Sequence, residues 1–183
     1  MAKFEIELRG LLNKNQKKEL EKFLVKKGKL VKQYKRTHWI FGLSHAKKID
    51  VRVKETNGEH EFSLKVGKIG NANRKEISIP FPPDKLKQSL EFLKFLGYRE
   101  GLKAIRNGKV YIYKGIEWAI VEVPGHSNYF EAEKIVNSKK EGKAAENEIR
   151  TVANELGLNV FTSRETVNYI KKLDKEANKI FKL

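Results

Sequence analysis

Several kinds of residue and segment are missing from this 183-residue sequence, and each absence excludes a class of structure. There is no cysteine, so disulfides and thiolate metal sites are excluded, and any metal must bind oxygen or nitrogen ligands. No apolar run approaches the roughly 20 residues that a membrane-spanning helix needs. The first residues, MAKFEIEL, contain no apolar core of a signal peptide. We therefore expect a cytoplasmic protein that does not enter a membrane.

Acidic residues are too few to balance the basic ones. The chain has 39 lysines and arginines against 23 aspartates and glutamates, which gives a formal net charge of +16. This excess predicts anionic partners, such as phosphates or nucleic acid. The apolar fraction of 39% is enough for a core, so we expect a single domain over residues 1–183.

The first strand is predicted by strict alternation in residues 3–9, KFEIELR. Its apolar side chains lie on one face, whereas Glu5, Glu7 and Arg9 share the other. Two carboxylates and a guanidinium on one face of a strand need an explanation. The simplest one is an amphipathic strand with a solvated charged face.

A second strand with paired carboxylates is predicted at residues 129–135, YFEAEKI, where Glu131 and Glu133 share a face. If this face meets the polar face of the first strand, four carboxylates converge. Their oxygens suit a hard divalent cation such as Mg²⁺ or Mn²⁺.

The rest of the pattern predicts further strands, two helices between them and a helical tail. The other strands are expected at residues 30–41, 49–55, 60–66, 74–80, 102–106, 109–113 and 116–123. Helices are expected at residues 15–27, 83–96 and 142–156, and in a last helix after a capping box of Thr162 and Glu165, with an apolar stripe that reaches Phe181. Roughly eight strands joined by short turns favour a closed barrel or a sandwich. We divide the domain into residues 1–135, with the strands and two helices, and residues 136–183, with the last helices.

The polar faces of these strands are almost fully charged, whereas an ordinary exposed face mixes uncharged polar residues with lysine. A barrel can turn such faces inward when a charged ligand fills it, because buried charges must be paired or ligated. A divalent cation with a polyphosphate meets this demand, since acids bind the metal and cations bind phosphate oxygens. The charged residues on these faces include Arg52, Lys54, Lys65, Arg74, Glu76 and Arg106.

Several motifs resemble those of the CYTH superfamily, the triphosphate tunnel metalloenzymes. FEIELR resembles the family's ExExK signature, DVRVK its R-x-R/K strand, FSLK a strand with a lysine, and YFEAEKI its closing E-x-E strand. EISI and AIR lie between FSLK and YFEAEKI, in the family's order, so the resemblance spans residues 3–135. It implies an α+β fold, in which a closed eight-stranded antiparallel β-barrel forms a tunnel with covering helices and a helical C-terminal tail. The family includes class IV adenylyl cyclases, thiamine triphosphatases, inorganic tripolyphosphatases and RNA triphosphatases.

The resemblance also implies roles for individual residues. By position in the motifs, the metal ligands would be Glu5, Glu7, Glu131 and Glu133. The residues that would bind the triphosphate are Arg9, Arg52, Lys54, Lys65 and Arg106. Arg74 follows a glycine- and asparagine-rich loop, from which we expect it to reach phosphate. We expect either a second metal or a glutamate such as Glu76 to prepare the attacking water, with Arg9 also in a catalytic role.

Two positions depart from the family pattern. The family lysine of ExExK is Arg9 here, which keeps the charge but cannot donate a proton as a lysine can. The family aspartate before the Val-Pro-Gly turn is Val121 here. The neighbouring Glu122 would face the tunnel only if a bulge shifted the strand.

We expect hydrolysis of a triphosphate, which could be inorganic tripolyphosphate, a nucleoside triphosphate or thiamine triphosphate, with Mg²⁺ or Mn²⁺ as cofactor. One alternative is cyclisation of ATP to cAMP, for which the sequence reveals no adenine pocket. The other is non-catalytic binding of polyphosphate or RNA through the basic surface. The protein is expected to be a monomer or homodimer. The four histidines have no ligand spacing, and we expect most of them at the surface.

Overall fold

The computed structural model describes residues 4–44, 49–67 and 71–183, so Lys3 of the first predicted strand lies outside it. The described residues contain nine strands, β1 (Phe4–Leu12), β2 (Lys29–Ser44), β3 (Ile49–Thr56), β4 (Glu59–Val66), β5 (Asn73–Phe81), β6 (Glu100–Tyr113), β7 (Ile116–Val123), β8 (Ser127–Val136) and β9 (Lys179–Lys182). They also contain the helices α1 (Lys14–Lys27), α2 (Leu86–Phe95), α3 (Gly142–Glu155) and α4 (Ser163–Glu176), with 3₁₀ turns at Pro83–Lys85 and Lys139–Glu141.

The first eight strands close into an antiparallel barrel. Their order is β2-β3-β4-β5-β1-β8-β7-β6, and β6 pairs back with β2 to close it. β1 pairs with β8 along its whole length, so that Glu7 lies opposite Glu133 and Arg9 opposite Glu131. Residues directly opposite each other point to the same face of a sheet. The predicted closed eight-stranded barrel is confirmed, and its two E-x-E strands are neighbours.

Local sequence signals explain how the strands and helices begin and turn. At the β3–β4 turn, Asn57 and Gly58 have φ angles of 52° and 90°, as a tight hairpin requires. The predicted capping box at the start of α4 is confirmed, since Thr162 and Glu165 each accept a hydrogen bond from the other's backbone N–H.

The outer faces of several strands are apolar, and α1 and α3 cover them. Leu24 of α1 and Ile149 of α3 are fully buried, in one cluster with Trp118 and Phe130 of the barrel. Burial of each such side chain stabilises the fold by about 1.5–3 kcal/mol. Packing of helices on the outside leaves the charged strand faces for the tunnel.

One wall of the tunnel is also apolar. The inward side chains Val110, Val121 and Tyr129, which we call the apolar wall, form a buried cluster with Tyr169 and Leu173 of α4. The rings of Tyr129 and Tyr169 lie edge to face, with centroids 5.7 Å apart. Helix α4 therefore packs against an inward-facing surface, in contrast to α1 and α3.

Two predicted boundaries differ from the structure. The strands predicted at residues 102–106 and 109–113 are one strand, β6, because the chain stays extended through Gly108. A Cβ atom at Gly108 would lie 2.4 Å from the ring of Tyr34, so glycine serves a close approach there and marks no turn.

The prediction that the last helical stripe includes Phe181 is wrong. Helix α4 ends at Glu176, and Phe181 lies in β9, which pairs with Glu100–Lys103 of β6. β7 pairs with β6 only from Asn107 onward, so the start of β6 has a free edge that the tail can join. Phe181 then packs against Phe41, with ring centroids 5.5 Å apart.

Candidate active site in the tunnel

Three of the four predicted metal ligands converge. Glu5, Glu7 and Glu133 each have a carboxylate oxygen within 4.8 Å of the other two. The pairing of β1 with β8 produces this cluster, since it sets Glu7 directly opposite Glu133 and Glu5 on the same face two residues away. All three side chains are partly buried.

Glu131, the fourth predicted ligand, lies beside this cluster and binds a cation. Its carboxylate forms an ion pair of 2.8 Å with a terminal nitrogen of Arg9, while the Nε of Arg9 contacts Glu7. Arg9 therefore bridges the carboxylates of β1 and β8. The cluster has three carboxylates close together and a fourth held one step along the tunnel.

Lys65 and Glu76 extend the network onto β4 and β5. The Lys65 ammonium lies 2.7 Å from Glu5, 3.1 Å from Glu7 and 3.1 Å from Glu76. Glu76 also accepts hydrogen bonds from Lys54 at 2.7 Å and from Ser63 at 2.6 Å. Both lysines are thus neutralised by carboxylates, as buried charges must be.

Asp50 organises two of the predicted phosphate-binding arginines. It is 3% exposed, and its carboxylate accepts hydrogen bonds from Arg52 and lies 3.6 Å from a terminal nitrogen of Arg74. The Nε of Arg74 is buried and has no partner among the described residues. This N–H group is a donor ready for an anionic ligand.

Arg106, on β6, is separated from this group and contacts the C-terminal segment. It is 7% exposed, and it donates a hydrogen bond of 3.0 Å to the side chain of Asn178, which in turn donates to Asp174 of α4 at 2.8 Å. Arg106 thus links the barrel to the end of α4.

Acids and bases line one cavity of about 900 Å³ at the mouth of the tunnel. The charged residues that line it are Glu5, Glu7, Arg9, Asp50, Arg52, Lys65, Arg74, Lys75 and Glu100 from the strands, and Glu146, Arg150 and Asp174 from the helices. Lys54, Glu76 and Arg106 continue the same inner faces beyond these residues. We call the residues Glu5, Glu7, Arg9, Arg52, Lys54, Lys65, Arg74 and Glu76 the charged wall.

Burial and neighbouring charges shift the pKa values of the three carboxylates in different directions. Burial, together with its hydrogen bond to Glu76, raises the pKa of Glu5 to about 10. Burial and the nearby Glu7 raise the pKa of Glu133 to about 7. Burial alone would also raise the pKa of Glu7, but Arg9 and Lys65 hold it well below its usual range. The cluster therefore combines an ionised carboxylate with carboxylates that hold protons near neutral pH.

Glu76 is the other strongly ionised member of the site. Burial opposes its ionisation, but the hydrogen bond with Glu5 and the ammonium groups of Lys65 and Lys54 lower its pKa. A carboxylate with a lowered pKa is a weak base, so it can orient a water molecule better than it can remove its proton.

The donor set suits the cofactor expected from the sequence. Glu5, Glu7 and Glu133 offer only carboxylate oxygens, within 4.8 Å of one another, and such ligands are those that Mg²⁺ and Mn²⁺ prefer. The described residues thus fit a hard divalent cation.

The departure from the family pattern at Val121 is clear in the structure. Val121 is 1% exposed and belongs to the apolar wall. The register of β7 is continuous on both sides, so no bulge turns Glu122 inward. Glu122 instead binds Lys17 of α1 at 2.6 Å.

Sequence reasoning missed several residues of the site. Asp50 shares the face of Arg52 in a strictly alternating strand, so its inward position could have been found.

The expectation that most histidines lie at the surface is wrong for His60, which is 8% exposed, and for His38, whose Nε2 is buried without a partner among the described residues. His45 lies outside the described residues.

Comparison with known proteins supports the fold. No protein-family model matches the sequence, and no curated protein matches it. Among solved structures, the PH1819 protein of Pyrococcus horikoshii OT3 has a TM-score of 0.73 at 23% identity, covering 91% of this chain and 99% of its own.

Two further solved structures carry functional descriptions. A candidate adenylate cyclase from Vibrio parahaemolyticus has a TM-score of 0.69 at 13% identity, covering 87% of this chain and 91% of its own. A candidate adenylyl cyclase from Hippeastrum, HpAC1, described as having a dominant triphosphatase activity, has a TM-score of 0.57 at 16% identity, covering 86% of this chain and 89% of its own. At these identities the likeness concerns the fold. The fold that the resemblance to the CYTH superfamily implies, a closed eight-stranded antiparallel barrel with helices, is thus confirmed.

Within the described ranges, no helix is long and apolar enough to cross a membrane.

Proposed function

We propose that the protein hydrolyses a triphosphate inside its tunnel with the help of a divalent cation, Mg²⁺ or Mn²⁺. The observation that carries this proposal is that carboxylates and cations line the same cavity, where Glu5 and Glu7 face Lys65, Arg52 and Arg74. A groove that only binds anions gains nothing from carboxylates, because they repel the ligand. Metal and phosphate together use both kinds of group.

Glu5, Glu7 and Glu133 would hold the metal, which when bound supplies charge stabilisation at a phosphoryl oxygen. Glu131 is the fourth proposed ligand, and it can join them only when its ion pair with Arg9 opens. The proton that burial keeps on Glu5 must leave before this carboxylate can act as a ligand.

The phosphate chain would be bound by cations of the charged wall. Arg74 has a buried Nε–H group without a partner among the described residues, and Asp50 fixes the neighbouring Arg52. Planar guanidinium groups suit phosphate oxygens because they donate two hydrogen bonds at once. Arg9, Lys54, Lys65 and Arg106 complete the proposed triphosphate site.

Glu76 and Arg9 are proposed to act on the reacting groups. Glu76 would accept a hydrogen bond from the attacking water and orient it, since Lys54 and Ser63 hold its carboxylate in place. Arg9 would stabilise negative charge on the transferred phosphoryl group with the N–H groups that Glu7 and Glu131 leave free.

The direct test is phosphate release from tripolyphosphate, ATP and thiamine triphosphate, each with and without Mg²⁺ or Mn²⁺. We expect release from at least one substrate that depends on the metal. In the ATP reaction, cAMP is measured as well, because one relative of this fold is a candidate adenylate cyclase. Formation of cAMP with pyrophosphate would assign the tunnel to cyclisation, whereas no turnover of any triphosphate would contradict catalysis.

A second candidate function, nucleic acid binding, is favoured by the surface of α1. Lys14, Lys18, Lys22 and Lys26 are exposed and follow one another at intervals of four residues, so they lie along one face of the helix. Like charges at this spacing destabilise a helix, and a phosphate backbone would relieve their repulsion.

Binding of a labelled RNA oligonucleotide at increasing salt tests this second function. We expect an affinity that falls linearly with salt on logarithmic axes, and a weaker slope for Lys18→Gln with Lys22→Gln. Equal binding by this double variant would exclude the lysine face of α1, and unchanged triphosphatase activity would show that its role is separate from the tunnel.

A further inference from the structure

His38 lies inside the tunnel at a depth between its two ends. It faces inward on β2, directly opposite Lys54 of β3 and Ala104 of β6. Ile40, two residues further along β2, lines the charged cavity. Residues two apart on a strand are separated by about 7 Å. Tyr34, four residues before His38 on β2, lines a second cavity of about 630 Å³. On β2, His38 thus lies between a residue that lines the first cavity and a residue that lines the second.

The imidazole of His38 is incompletely bonded. Its Nε2 atom is buried and has no hydrogen-bond partner among the described residues. Buried polar atoms are nearly always paired, and an exception needs an explanation such as a ligand that completes the site. The groups around it give the chemistry that such a ligand must have.

Cations surround His38 on its own strand and on both neighbouring strands. Arg36 lies two residues away on β2, Arg52 and Lys54 face it from β3, and Arg106 faces it from β6. Burial and these four positive charges lower the pKa of His38 well below its ordinary value of 6.5. The imidazole is therefore neutral in the free protein at neutral pH.

The two cations of β3 are already paired with acids. Asp50 binds Arg52, and Glu76 binds Lys54, so neither carboxylate is free to favour an imidazolium. A polyanion in the tunnel would reverse this balance, because its negative charge would offset the cations that keep His38 neutral.

We propose that His38 takes up a proton when a triphosphate binds in the tunnel and then donates a hydrogen bond from Nε2 to a phosphate oxygen. This inference rests on the proposed function. The proton comes from solvent and forms an N–H bond on the imidazole, so the ring changes from neutral to cationic as the ligand enters. His38 thereby becomes a further phosphate-binding group that is charged only in the complex.

The proposal fixes the direction of a pH effect. Proton uptake on binding means that affinity for the triphosphate rises as pH falls through the pKa of His38 in the complex. The effect ends below the lower pKa of the free protein, where the imidazole is already protonated before binding.

Calorimetric titration with inorganic tripolyphosphate in metal-free buffer tests the proton uptake. Titrations at about pH 6.5, the ordinary pKa of histidine, in buffers of different ionisation enthalpy give the number of protons bound. We expect the wild type to take up more protons than His38→Gln, with a difference that approaches about one at its maximum. The control is His60→Gln, because His60 is buried outside the tunnel against Phe81, and it should match the wild type.

A second measurement does not depend on the folding of a variant. In wild-type protein labelled with ¹⁵N-histidine, the ring nitrogens of His38 should shift from neutral to imidazolium positions on addition of tripolyphosphate. Binding with His38 still neutral, or with equal proton uptake in wild type and His38→Gln, would overturn this inference alone. Absence of tripolyphosphate binding, both with and without Mg²⁺, would instead contradict the proposed function.

Discussion

The charged wall and the apolar wall of the tunnel differ in how their inward side chains are buried: one pairs opposite charges, and the other packs apolar groups. On the charged wall, Lys65 contacts three carboxylates within 3.1 Å, so each charge is neutralised by a neighbour. On the apolar wall, Val121 and Tyr129 are buried against α4 with no charge to neutralise. One wall therefore carries groups that can bind metal and phosphate, whereas the other holds the last helix in place.

Val121, the departure from the family pattern, belongs to the apolar wall. An acid at this position would lie in a buried apolar cluster with Tyr129, Tyr169 and Leu173. An isolated charge in such surroundings is costly. In this chain an apolar side chain occupies that position, whereas Glu5, Glu7 and Glu76 of the charged wall each contact a cation.

The charged wall should be disrupted most strongly at Lys65. In Lys65→Met, three carboxylates lose their shared cation, and breaking such a buried arrangement costs about 3–5 kcal/mol of the free energy of unfolding. Chemical denaturation measures this loss. Addition of Mn²⁺ should recover part of it, because the metal replaces the missing positive charge.

The control for this prediction is Lys17→Met, which removes a lysine from the outer ion pair with Glu122. Its effect should stay below about 1 kcal/mol, as is usual for exposed pairs. Equal losses in the two variants would show that the charged wall has no special dependence on Lys65.

The apolar wall should respond to a change in volume and hardly at all to metal. Leu173→Ala leaves a cavity where α4 meets Tyr129 and Val121, and we expect a loss of about 2–5 kcal/mol in the free energy of unfolding. Mn²⁺ should stabilise this variant and the wild type equally. A larger stabilisation of Leu173→Ala by the metal would contradict the separation of the two walls.

The smallest of these effects is the pH dependence of metal binding. The pKa of Glu133 is raised to about 7, so at lower pH a proton must leave before this carboxylate can bind a metal. We therefore expect Mn²⁺ affinity to rise at least about tenfold per pH unit below about pH 7. Calorimetry with Mn²⁺ at several pH values measures this slope.

In Glu133→Gln the inflection near pH 7 should disappear, while the contribution of Glu5, with its pKa of about 10, should remain. An affinity that does not change with pH in the wild type would contradict the raised pKa of Glu133 as a feature of the metal site.

Strand alternation was enough to predict which side chains share the tunnel, because each polar face was visible in the sequence. It placed Glu5 with Glu7 and Glu131 with Glu133, and it could have placed Asp50 beside Arg52. It could not predict that Glu131 binds Arg9 and stays apart from the three-carboxylate cluster. That choice depends on which of several neighbouring charges come closest, and alternation alone leaves those distances open.

The ends of the strands and helices were predicted less well from the sequence. Phe181 continues a helical spacing from Leu173 and Ala177, yet it pairs as a strand because the start of β6 has a free edge. The smooth passage of β6 through Gly108 depends likewise on Tyr34, which comes from a distant part of the chain. Tertiary contacts of this kind override local pattern.

The central claim is that the charged wall holds a catalytic metal, and Glu7→Gln tests it most directly. This change keeps the shape of the side chain, and Arg9 and Lys65 retain their other carboxylate partners. We measure Mg²⁺-dependent phosphate release from tripolyphosphate beside thermal melting, with Glu122→Gln on the outer face as the matched control. The account predicts a loss of at least about 100-fold in Glu7→Gln, with a melting temperature near that of the wild type and an active Glu122→Gln. Unchanged phosphate release by Glu7→Gln would contradict it.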